Sequence, residues 1–198
     1  MAKRLFDLLG ATLALLVLAP LLLVVALAVR LDSPGPVFFR QERVGRHGVP
    51  FRIHKFRTMR ADAQAVGPQV TVGQDSRITR VGHWLRHYRI DELPQFIDVL
   101  QGTMSLVGPR PEVPRFVAHY PADLKDRVLA VRPGITDPAS LAHIDESALL
   151  AAAADPEREY IERILPRKLA LQADYVVHAT LASDLRVLLR TLKVLWSR

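Results

Sequence analysis

The sequence contains no cysteine. This absence excludes a disulfide framework, a cysteine-based zinc site and a thiol nucleophile, although it does not fix the cellular compartment. Acidic residues are also in short supply: 20 aspartates and glutamates face 27 lysines and arginines, so the formal net charge is +7. A chain this basic favours partners that carry negative charge, such as nucleic acid, anionic lipid or phosphorylated substrates. Its 198 residues suffice for one domain with a sizeable core and an appendage.

Charged residues are missing from a long apolar run, residues 8–29. As a straight helix this run would extend roughly 33 Å, at ~1.5 Å per residue, which is enough to cross a hydrocarbon core of ~30 Å. A secretory signal peptide is one alternative, because Lys3 and Arg4 precede the run and residues 26–28 (Ala-Leu-Ala) resemble a cleavage site. The run is longer than the ~7–15 apolar residues of such peptides, which argues for a retained membrane segment.

Pro20 and the basic flanks bear on how this segment enters the membrane. Pro20 lies near the middle of the run, where proline removes a backbone hydrogen bond and kinks a helix. Both flanks are basic, and the positive-inside rule keeps basic flanks on the cytoplasmic side. A re-entrant helix, which enters, bends at Pro20 and returns, satisfies both observations, whereas a plain span with a proline remains the alternative. We predict a re-entrant segment over residues 1–30 and a cytoplasmic, membrane-associated domain over residues 31–198, with both termini cytoplasmic.

The pattern of residues 31–198 predicts a helix-dominated α+β fold. Two short strand-like segments flank Gly45 and Gly48, which indicates a β-hairpin. A short helix from His83, a second helix that ends at Gly102 and an amphipathic helix over residues 184–196 follow. The last helix has leucines on one side and cations on the other. It fits either a core helix with a solvated basic face or a helix in the interface of an anionic membrane.

Asp91 and Glu92 stand side by side before a proline, in the segment RIDELPQF. The simplest interpretation is helix capping, because aspartate is a favoured N-cap and Pro94 is tolerated in a first turn. At about 100° per residue, however, Asp91, Gln95 and Asp98 share one face. The opposite face carries apolar residues that we expect to form the core side: Leu93, Phe96, Ile97 and Leu100. Capping requires only one acidic residue, so it does not account for an acidic face that is surrounded by cationic residues.

Phosphoryl transfer would use such an arrangement. Carboxylates hold Mg²⁺, arginines bind phosphate oxygens through paired hydrogen bonds, and an aspartate can itself attack phosphorus. The charge pattern alone leaves open two other classes. One is a membrane-tethered protein that binds anionic lipid or nucleic acid, and the other is a membrane phosphohydrolase that uses water as the acceptor. The chain has no recognisable nucleic-acid-binding motif, so we expect no nucleic-acid partner.

Four motifs carry a resemblance to a known family. They are, in chain order, KFRTM (55–59), DELPQF (91–96), MSLVGPRPE (104–112) and VRPGIT (131–136). Together with the proline-containing N-terminal segment, they resemble the bacterial monotopic phosphoglycosyl transferases, which load a sugar 1-phosphate onto a polyprenyl phosphate carrier. The resemblance runs from about Phe6 to the C-terminus. It implies a re-entrant helix broken at proline and a location at the cytoplasmic face of the bacterial inner membrane.

The resemblance also implies a mechanism. Asp91 would attack the β-phosphorus of a UDP-sugar, release UMP and hold the phosphosugar covalently until polyprenyl (undecaprenyl) phosphate displaces it. Asp91 and Glu92 would bind Mg²⁺. Contacts with phosphate or nucleotide fall on seven further residues: Lys55, Arg57, Arg86, Pro109, Arg110, Pro111 and Arg132. The oligomeric state, including a homodimer, is left open.

Several positions depart from the family pattern. Ala19 replaces the serine often found before the helix-breaking proline, so a carbonyl freed there needs another partner. Asp98 and Thr103 stand where many members have asparagine and aspartate, and we expect effects on fine positioning only. Residues 137–140 differ most from the pattern, so the identity of the sugar is the least determined feature. Gln172 replaces a common acid and is given no role.

Overall fold

The computed structural model describes residues 1–63, 75–142 and 146–196. Helices dominate and the strands are short, which confirms the predicted α+β class. The helices are α1 (Ala2–Asp32), α2 (Arg80–His87), α3 (Gln95–Gln101), α4 (Pro114–Val117), α5 (Ala122–Val128), α6 (Pro138–Ala142), α7 (Glu146–Ala152), α8 (Pro156–Glu159), α9 (Leu165–His178) and α10 (Leu181–Trp196). The strands are β1 (Phe38–Phe39), β2 (Glu42–Val44), β3 (Pro50–Arg52), β4 (Lys55–Phe56), β5 (Ser105–Val107) and β6 (Gly134–Thr136).

Helix α1 contains the predicted membrane segment. It is long and apolar enough to cross a membrane, with a mean hydropathy of 2.9 over 18 residues. Helical structure continues through Pro20 in one uninterrupted helix, so the predicted helix break at this proline is not seen. The re-entrant path itself stays a prediction. Many apolar side chains of α1 point away from the rest of the protein, with exposed fractions between 64% and 72% for Leu13, Leu16, Val17 and Leu23.

The start of α1 is bonded to the body of the domain through a buried acid. Asp7 is 2% exposed. It accepts hydrogen bonds from the Ser105 hydroxyl (2.9 Å) and from the backbone N–H of Leu106 (3.1 Å), both in β5. Lys3 forms ion pairs with Asp7 (3.0 Å) and with Asp184 of α10 (2.8 Å). The first two turns of α1 are therefore fixed to β5 and α10.

The end of α1 is bonded to the same body at a different place. The Asp32 carboxylate accepts a hydrogen bond from the backbone N–H of Val81 in α2 (3.0 Å). Arg57, which follows β4, is buried and donates to three carbonyl oxygens at this end: Pro34 (2.7 Å), Ser33 (2.7 Å) and Val29 (3.3 Å). These bonds satisfy carbonyls that the last turn of a helix leaves without partners.

The predicted hairpin is present as two antiparallel pairs. Strands β2 and β3 flank a single 3₁₀ turn, Arg46–Gly48, with Val44 opposite Pro50. Strands β1 and β4 extend the hairpin, and Phe39 lies opposite Lys55. The hairpin therefore fixes the start of the KFRTM segment.

A parallel pair, β5 and β6, was not predicted. Ser105 lies opposite Gly134, and Val107 lies opposite Thr136. A Cβ on Gly134 would lie only 2.1 Å from the backbone nitrogen of Gly108, so glycine allows the two chains to approach this closely. The Pro-Arg-Pro segment leaves directly from this pair.

Helix α3 buries its polar side, which reverses the orientation that the apolar stripe predicts. Gln95 and Asp98 are each 1% exposed, whereas Leu100 is 38% exposed. Phe96 is only partly buried. The acidic face therefore lies inside the domain, which makes a solvated role for these side chains untenable.

Helix α10 combines the two alternatives that the sequence leaves open. Val187 is buried in a core cluster that includes Ala11 of α1 and Val107 of β5. Several apolar side chains on other sides of the helix are half or more exposed: Leu185, Leu189, Leu192 and Trp196. One side of the helix is core, and another leaves apolar surface uncovered by the described residues.

Candidate active site

A sharp turn between α2 and α3 positions Asp91 and Glu92. After α2, Arg89 adopts a left-handed conformation (φ 57°, ψ 20°), and a single 3₁₀ turn, Ile90–Glu92, follows. Left-handed backbone is uncommon for residues other than glycine and concentrates at functional sites. The turn brings both carboxylates inside, where Asp91 is 1% exposed and Glu92 is 7% exposed.

Asp91 is held by one oxygen only. Its Oδ2 atom lies 2.7 Å from Lys55 Nζ. Its Oδ1 atom is buried, and among the described residues it has no hydrogen-bond partner. Neither the 3₁₀ turn nor α3 receives a side-chain cap within that part of the chain. The capping interpretation is therefore wrong, and one oxygen of Asp91 is left available.

Glu92 is fully engaged by cations. Arg110 binds both carboxylate oxygens, at 3.0 Å between Nη1 and Oε2 and through a second, shorter contact between Nη2 and Oε1. Lys55 lies 3.4 Å from Oε1. Burial by itself raises the pKa of Glu92, but the charges of Arg110 and Lys55 and the Arg110 hydrogen bonds outweigh it and hold this pKa well below its usual range. Glu92 is thus an anion at neutral pH.

Arg110 is fixed from two sides. Its guanidinium binds Glu92, whose charge raises the pKa of Arg110 further. Its backbone N–H donates to Asp137 Oδ2 (3.1 Å). Asp137 is fully buried and also accepts hydrogen bonds from the Gln172 amide (2.7 Å) and from the backbone N–H of Ser140 (2.6 Å). Asp137 and Gln172, two of the departures from the family pattern, therefore anchor the Pro-Arg-Pro segment.

The contacts of Asp137 are not predicted above, although the sequence around it contains a signal for one of them. An Asp-Pro pair followed by Ala and Ser is typical of a helix start, with aspartate before the helix and proline in its first turn. Asp137 Oδ1 accepts from the N–H of Ser140 in α6, as such a start requires. Its other oxygen is then free to reach Arg110, and nothing local in the sequence indicates this second contact.

Lys55 is positioned by a buried His-Asp pair. The backbone N–H of His54 donates to Asp98 Oδ2 (2.8 Å), and its ring Nδ1 lies 2.7 Å from Asp98 Oδ1. Arg40 contacts the other ring nitrogen, Nε2. A guanidinium can only donate, so Nε2 accepts and Nδ1–H donates to Asp98. Asp98 therefore fixes the residue that precedes Lys55, which gives this departure from the family pattern a positioning role.

Arg86 is a further cation near the carboxylates, where Arg89 also pairs with Glu92 (3.9 Å). Its Nε–H donates to the Thr58 hydroxyl (2.8 Å). Burial lowers the pKa of Arg86, and the negative charge of Asp91 opposes that effect. A positive charge partly withdrawn from water beside Asp91 is suited to an anionic ligand.

The other predicted contact residues lie elsewhere. Arg57 binds the carbonyls at the end of α1, and the Nε–H of Arg132 donates to the carbonyl of Gly102 after α3 (2.7 Å). The carbonyl of Pro109 accepts from the backbone N–H of Gly134 (3.0 Å), and that of Pro111 accepts from Arg43 (3.0 Å). These four residues shape the surroundings of the site, and their predicted contacts with substrate stay predictions.

The oxygen atoms at the site suit Mg²⁺. This ion is usually held by one or two carboxylates together with substrate phosphates and water. Asp91 Oδ1 and Gln95 Oε1 are buried oxygens without hydrogen-bond partners in the described part of the chain. Glu92, by contrast, has both oxygens bound to Arg110. The described residues contain no group of three or more His, Cys, Asp or Glu that could hold a metal alone. The site therefore fits a metal that a phosphorylated substrate helps to bind.

Comparison with known proteins bears on what this site is for. The chain matches the family described as bacterial sugar transferase over residues 1–198. It belongs to this family. The resemblance carried by the four motifs is thereby confirmed. The candidate site draws on three of these motifs: KFRTM, DELPQF and MSLVGPRPE.

Relatives of this sugar transferase carry specific names. The chain is 40% identical to a UDP-glucose:undecaprenyl-phosphate glucose-1-phosphate transferase of Caulobacter vibrioides. This match extends over 193 residues, which are 96% of this chain and 67% of the relative. The chain is 46% identical over 143 residues to a UDP-N-acetylgalactosamine-undecaprenyl-phosphate N-acetylgalactosaminephosphotransferase of Aeromonas hydrophila. That match covers 71% of this chain and 34% of the relative. The chain thus spans between about one third and two thirds of these relatives.

Proposed function

We propose that this sugar transferase moves a sugar 1-phosphate from a UDP-sugar to a polyprenyl phosphate, with Asp91 as the nucleophile. The observation that carries the proposal is the buried, unpartnered Oδ1 of Asp91, beside an Oδ2 fixed by Lys55. An unsatisfied buried oxygen costs about 1–3 kcal/mol. Such an oxygen is expected where a substrate or metal completes the site. The names of the relatives support the donor and acceptor classes.

The reaction proceeds in two displacements at one phosphorus. In the first, Asp91 Oδ1 attacks the β-phosphorus of the UDP-sugar, the bond from that phosphorus to the bridging oxygen breaks, and UMP leaves with the electron pair. In the second, an oxygen of polyprenyl phosphate attacks the same phosphorus, and the Asp91 carboxylate leaves. The products are UMP and a polyprenyl diphosphate sugar, and Asp91 returns to its starting state.

Asp91 rather than Glu92 is the nucleophile because of what each already binds. Both oxygens of Glu92 accept hydrogen bonds from Arg110, which ties up their lone pairs. Glu92 instead keeps Arg110 in place and charged. Lys55, Arg86 and Arg110 supply the positive charge that stabilises a developing phosphoryl transition state and the departing UMP.

The chemistry needs little proton transfer. A phosphate acceptor is already ionised near neutral pH, so no general base has to act on it. When bound, Mg²⁺ would be held by Asp91, with Gln95 as a second oxygen ligand, and would neutralise charge on the donor diphosphate. Gln95 is buried and has no other partner among the described residues, which supports this role.

We further propose that α1 is re-entrant. Its start is bonded to β5 through Asp7, and its end is bonded to α2 through Asp32. Both partners belong to one domain, which must lie on one side of the membrane. The exposed apolar residues lie between these two anchors, as expected for a segment that dips into one leaflet. A site bonded to such a helix lies at the membrane surface, where a lipid phosphate is found.

The experiment that tests the function is intact-protein mass spectrometry with UDP-sugars and Mg²⁺ but no lipid acceptor. We expect a mass increase equal to one phosphosugar on the wild type, together with UMP, and no increase on Asp91→Asn. UDP-glucose and UDP-N-acetylgalactosamine are tested first, because the relatives are named for these sugars.

Asp123→Asn is the matched control, since it makes the same chemical change at an exposed aspartate of α5. This variant should form the adduct like the wild type. An adduct that persists on Asp91→Asn would refute Asp91 as the nucleophile. Release of free sugar phosphate without any lipid would instead indicate a phosphohydrolase.

A further inference from the structure

An apolar groove lies between the membrane helix and α2. One wall is formed by α1 residues of the apolar run: Leu21, Val24, Val25 and Ala28. The other wall is formed by Val81, Trp84 and Leu85 of α2. The groove has a volume of about 380 Å³, within the ~300–1,000 Å³ typical of ligand sites. Its position on α1 places it where lipid chains surround the protein.

A cation and an exposed indole lie at this groove. Arg80, at the start of α2, is exposed and lines the groove, and no hydrogen bond or ion pair is assigned to it among the described residues. Trp84 is 50% exposed, as is common for indoles at the level of lipid headgroups. An apolar trough with an unpaired cation suits an amphiphile that has a long hydrocarbon chain and an anionic head.

The groove is linked to the active site through α2 and one buried cluster. Leu85 belongs to one buried cluster with Val25 of α1, and Ile90, which precedes Asp91, packs against that cluster. Arg80 and Arg86 lie on the same helix six residues apart, about 9 Å along its axis at ~1.5 Å per residue. Tight contact fixes α2 in place, because a Cβ on Gly82 would lie 2.1 Å from the Thr58 carbonyl oxygen. A lipid held in the groove therefore lies against the helix that leads into the turn carrying Asp91.

We propose that this groove binds the isoprenoid chain of the polyprenyl phosphate acceptor, with Arg80 pairing with its phosphate as the lipid approaches Asp91. The inference rests on the proposed function, since it specifies how the acceptor of that reaction is bound. A bulk phospholipid would match the walls but would have no reason to lie next to the nucleophile. The link through α2 to the turn that carries Asp91 therefore favours the acceptor.

A steric variant tests the groove. Val24→Trp places a large side chain in it, and Val17→Trp is the control. Val17 and Val24 lie on the same helix seven residues apart and are 67% and 66% exposed, but only Val24 lines the groove. We expect Val24→Trp to raise the KM for polyprenyl phosphate by about tenfold or more while changing adduct formation from the UDP-sugar by less than about twofold. Val17→Trp should leave both quantities near wild type.

Substitutions of Arg80 test whether its positive charge contributes to binding the lipid phosphate. Arg80→Gln should raise the KM for polyprenyl phosphate about tenfold, and Arg80→Lys should restore most of the loss, because the pairing needs a positive charge. A merely structural role would not show this rescue. If Val24→Trp and Arg80→Gln both leave the KM for the acceptor unchanged, the inference is overturned.

Photo-crosslinking tests lipid binding in the groove independently of the transfer reaction. A polyprenyl phosphate with a diazirine in its first isoprene units is bound to the Asp91→Asn protein, which cannot form the adduct. We expect labelled peptides from residues 21–28 or 80–85, competed by unlabelled polyprenyl phosphate but not by excess phosphatidylglycerol. Equal competition by phosphatidylglycerol would assign the groove to bulk lipid and overturn the inference. Specific labelling, together with no sugar transfer by the wild-type protein, would refute the proposed function and leave the groove inference standing.

Discussion

At the scale of single residues, the adjacent acids Asp91 and Glu92 have opposite environments. Lys55 contacts one oxygen of Asp91 and leaves the other available, whereas Arg110 occupies both oxygens of Glu92. One acid can therefore react, and its neighbour maintains the positive charge around it. This division explains why two carboxylates in sequence need not share one chemical role.

The Glu92–Arg110 pair predicts a pH-dependent stability. Replacing Glu92 by Gln leaves the Arg110 charge without its partner, so we expect the free energy of unfolding at pH 7 to fall by ~3 kcal/mol. The folded-state pKa of Glu92 is held well below its usual range. The stabilisation is therefore fully present above pH ~4.3, where unfolded glutamate is ionised, and is lost as the pH falls through the folded-state pKa.

Thermal unfolding of the wild type and Glu92→Gln in nanodiscs, at a series of pH values from 7 to 3, measures this dependence. The difference in Tm between the two should stay constant down to pH ~4.3 and narrow at lower pH. Glu42→Gln serves as a control at an exposed glutamate and should match the wild type throughout. A Tm difference that is as large at pH 3 as at pH 7 would show that Glu92 does not stabilise the protein as an anion.

The sequence alone does not determine which acceptor each arginine near the site binds. Arg86 and Arg110 lie near the two acids, and the phosphate or nucleotide contacts predicted for them stay predictions. The sequence could not show that Arg57 and Arg132 bind backbone carbonyls, because a guanidinium donates equally well to a carbonyl oxygen or to a phosphate. Only the fold decides which acceptor lies within reach.

At the scale of secondary-structure elements, the hairpin and α3 meet through His54 and Asp98. Because Asp98 accepts from both the backbone and the ring of His54, an asparagine, with one acceptor oxygen, can satisfy only one of these donors. We expect Asp98→Asn and His54→Ala each to slow adduct formation by about tenfold, through displacement of Lys55 from Asp91. The rate of adduct formation in single-turnover mass spectrometry measures this effect.

The double variant distinguishes positioning from general damage. If the two residues act as one unit, Asp98→Asn combined with His54→Ala should be about as slow as the slower single variant. His119→Ala, at an exposed histidine, should retain the wild-type rate. If the rate reductions of the two single variants multiply in the double variant, His54 and Asp98 act independently.

Secondary-structure elements with a long or distinctive sequence pattern could be predicted, whereas very short elements could not. The apolar run and the glycine turn of the hairpin were recognised because each spans a distinctive local pattern. Strands β5 and β6 were missed because each has three residues and pairs with a partner about 30 residues away. For α3, periodicity showed that two faces differ but not which one lies inside, and the protein buries Gln95 and Asp98.

At the scale of the whole molecule, the anchors at both ends of α1 determine how the protein sits in the membrane. The absence of native cysteine makes this testable, because single cysteines can be introduced without removing others. Ala2 and Leu31 are exposed at the two ends of α1, and Leu16 is exposed near its middle. We expect a membrane-impermeant maleimide to label Ala2→Cys and Leu31→Cys from the cytoplasmic face only.

Leu16→Cys is the internal control and should resist the reagent from both faces, because hydrocarbon surrounds it. Labelling is compared in intact spheroplasts and in inverted vesicles. A plain transmembrane span would instead expose Ala2→Cys and Leu31→Cys on opposite faces, and that pattern would exclude a re-entrant helix.

The ion pair between Lys3 and Asp184 has a consequence for how the protein is made. Lys3 and Asp7 are synthesised before the residues that hold them, Ser105, Leu106 and Asp184. At ~5–20 residues per second, roughly 10–35 s of translation separate Asp7 from Asp184. During that delay the nascent helix already has one internal partner for its acid, since Lys3 lies one turn from Asp7 (3.0 Å). Lys3 and Asp7 can neutralise each other until α10 leaves the ribosome and Asp184 becomes available.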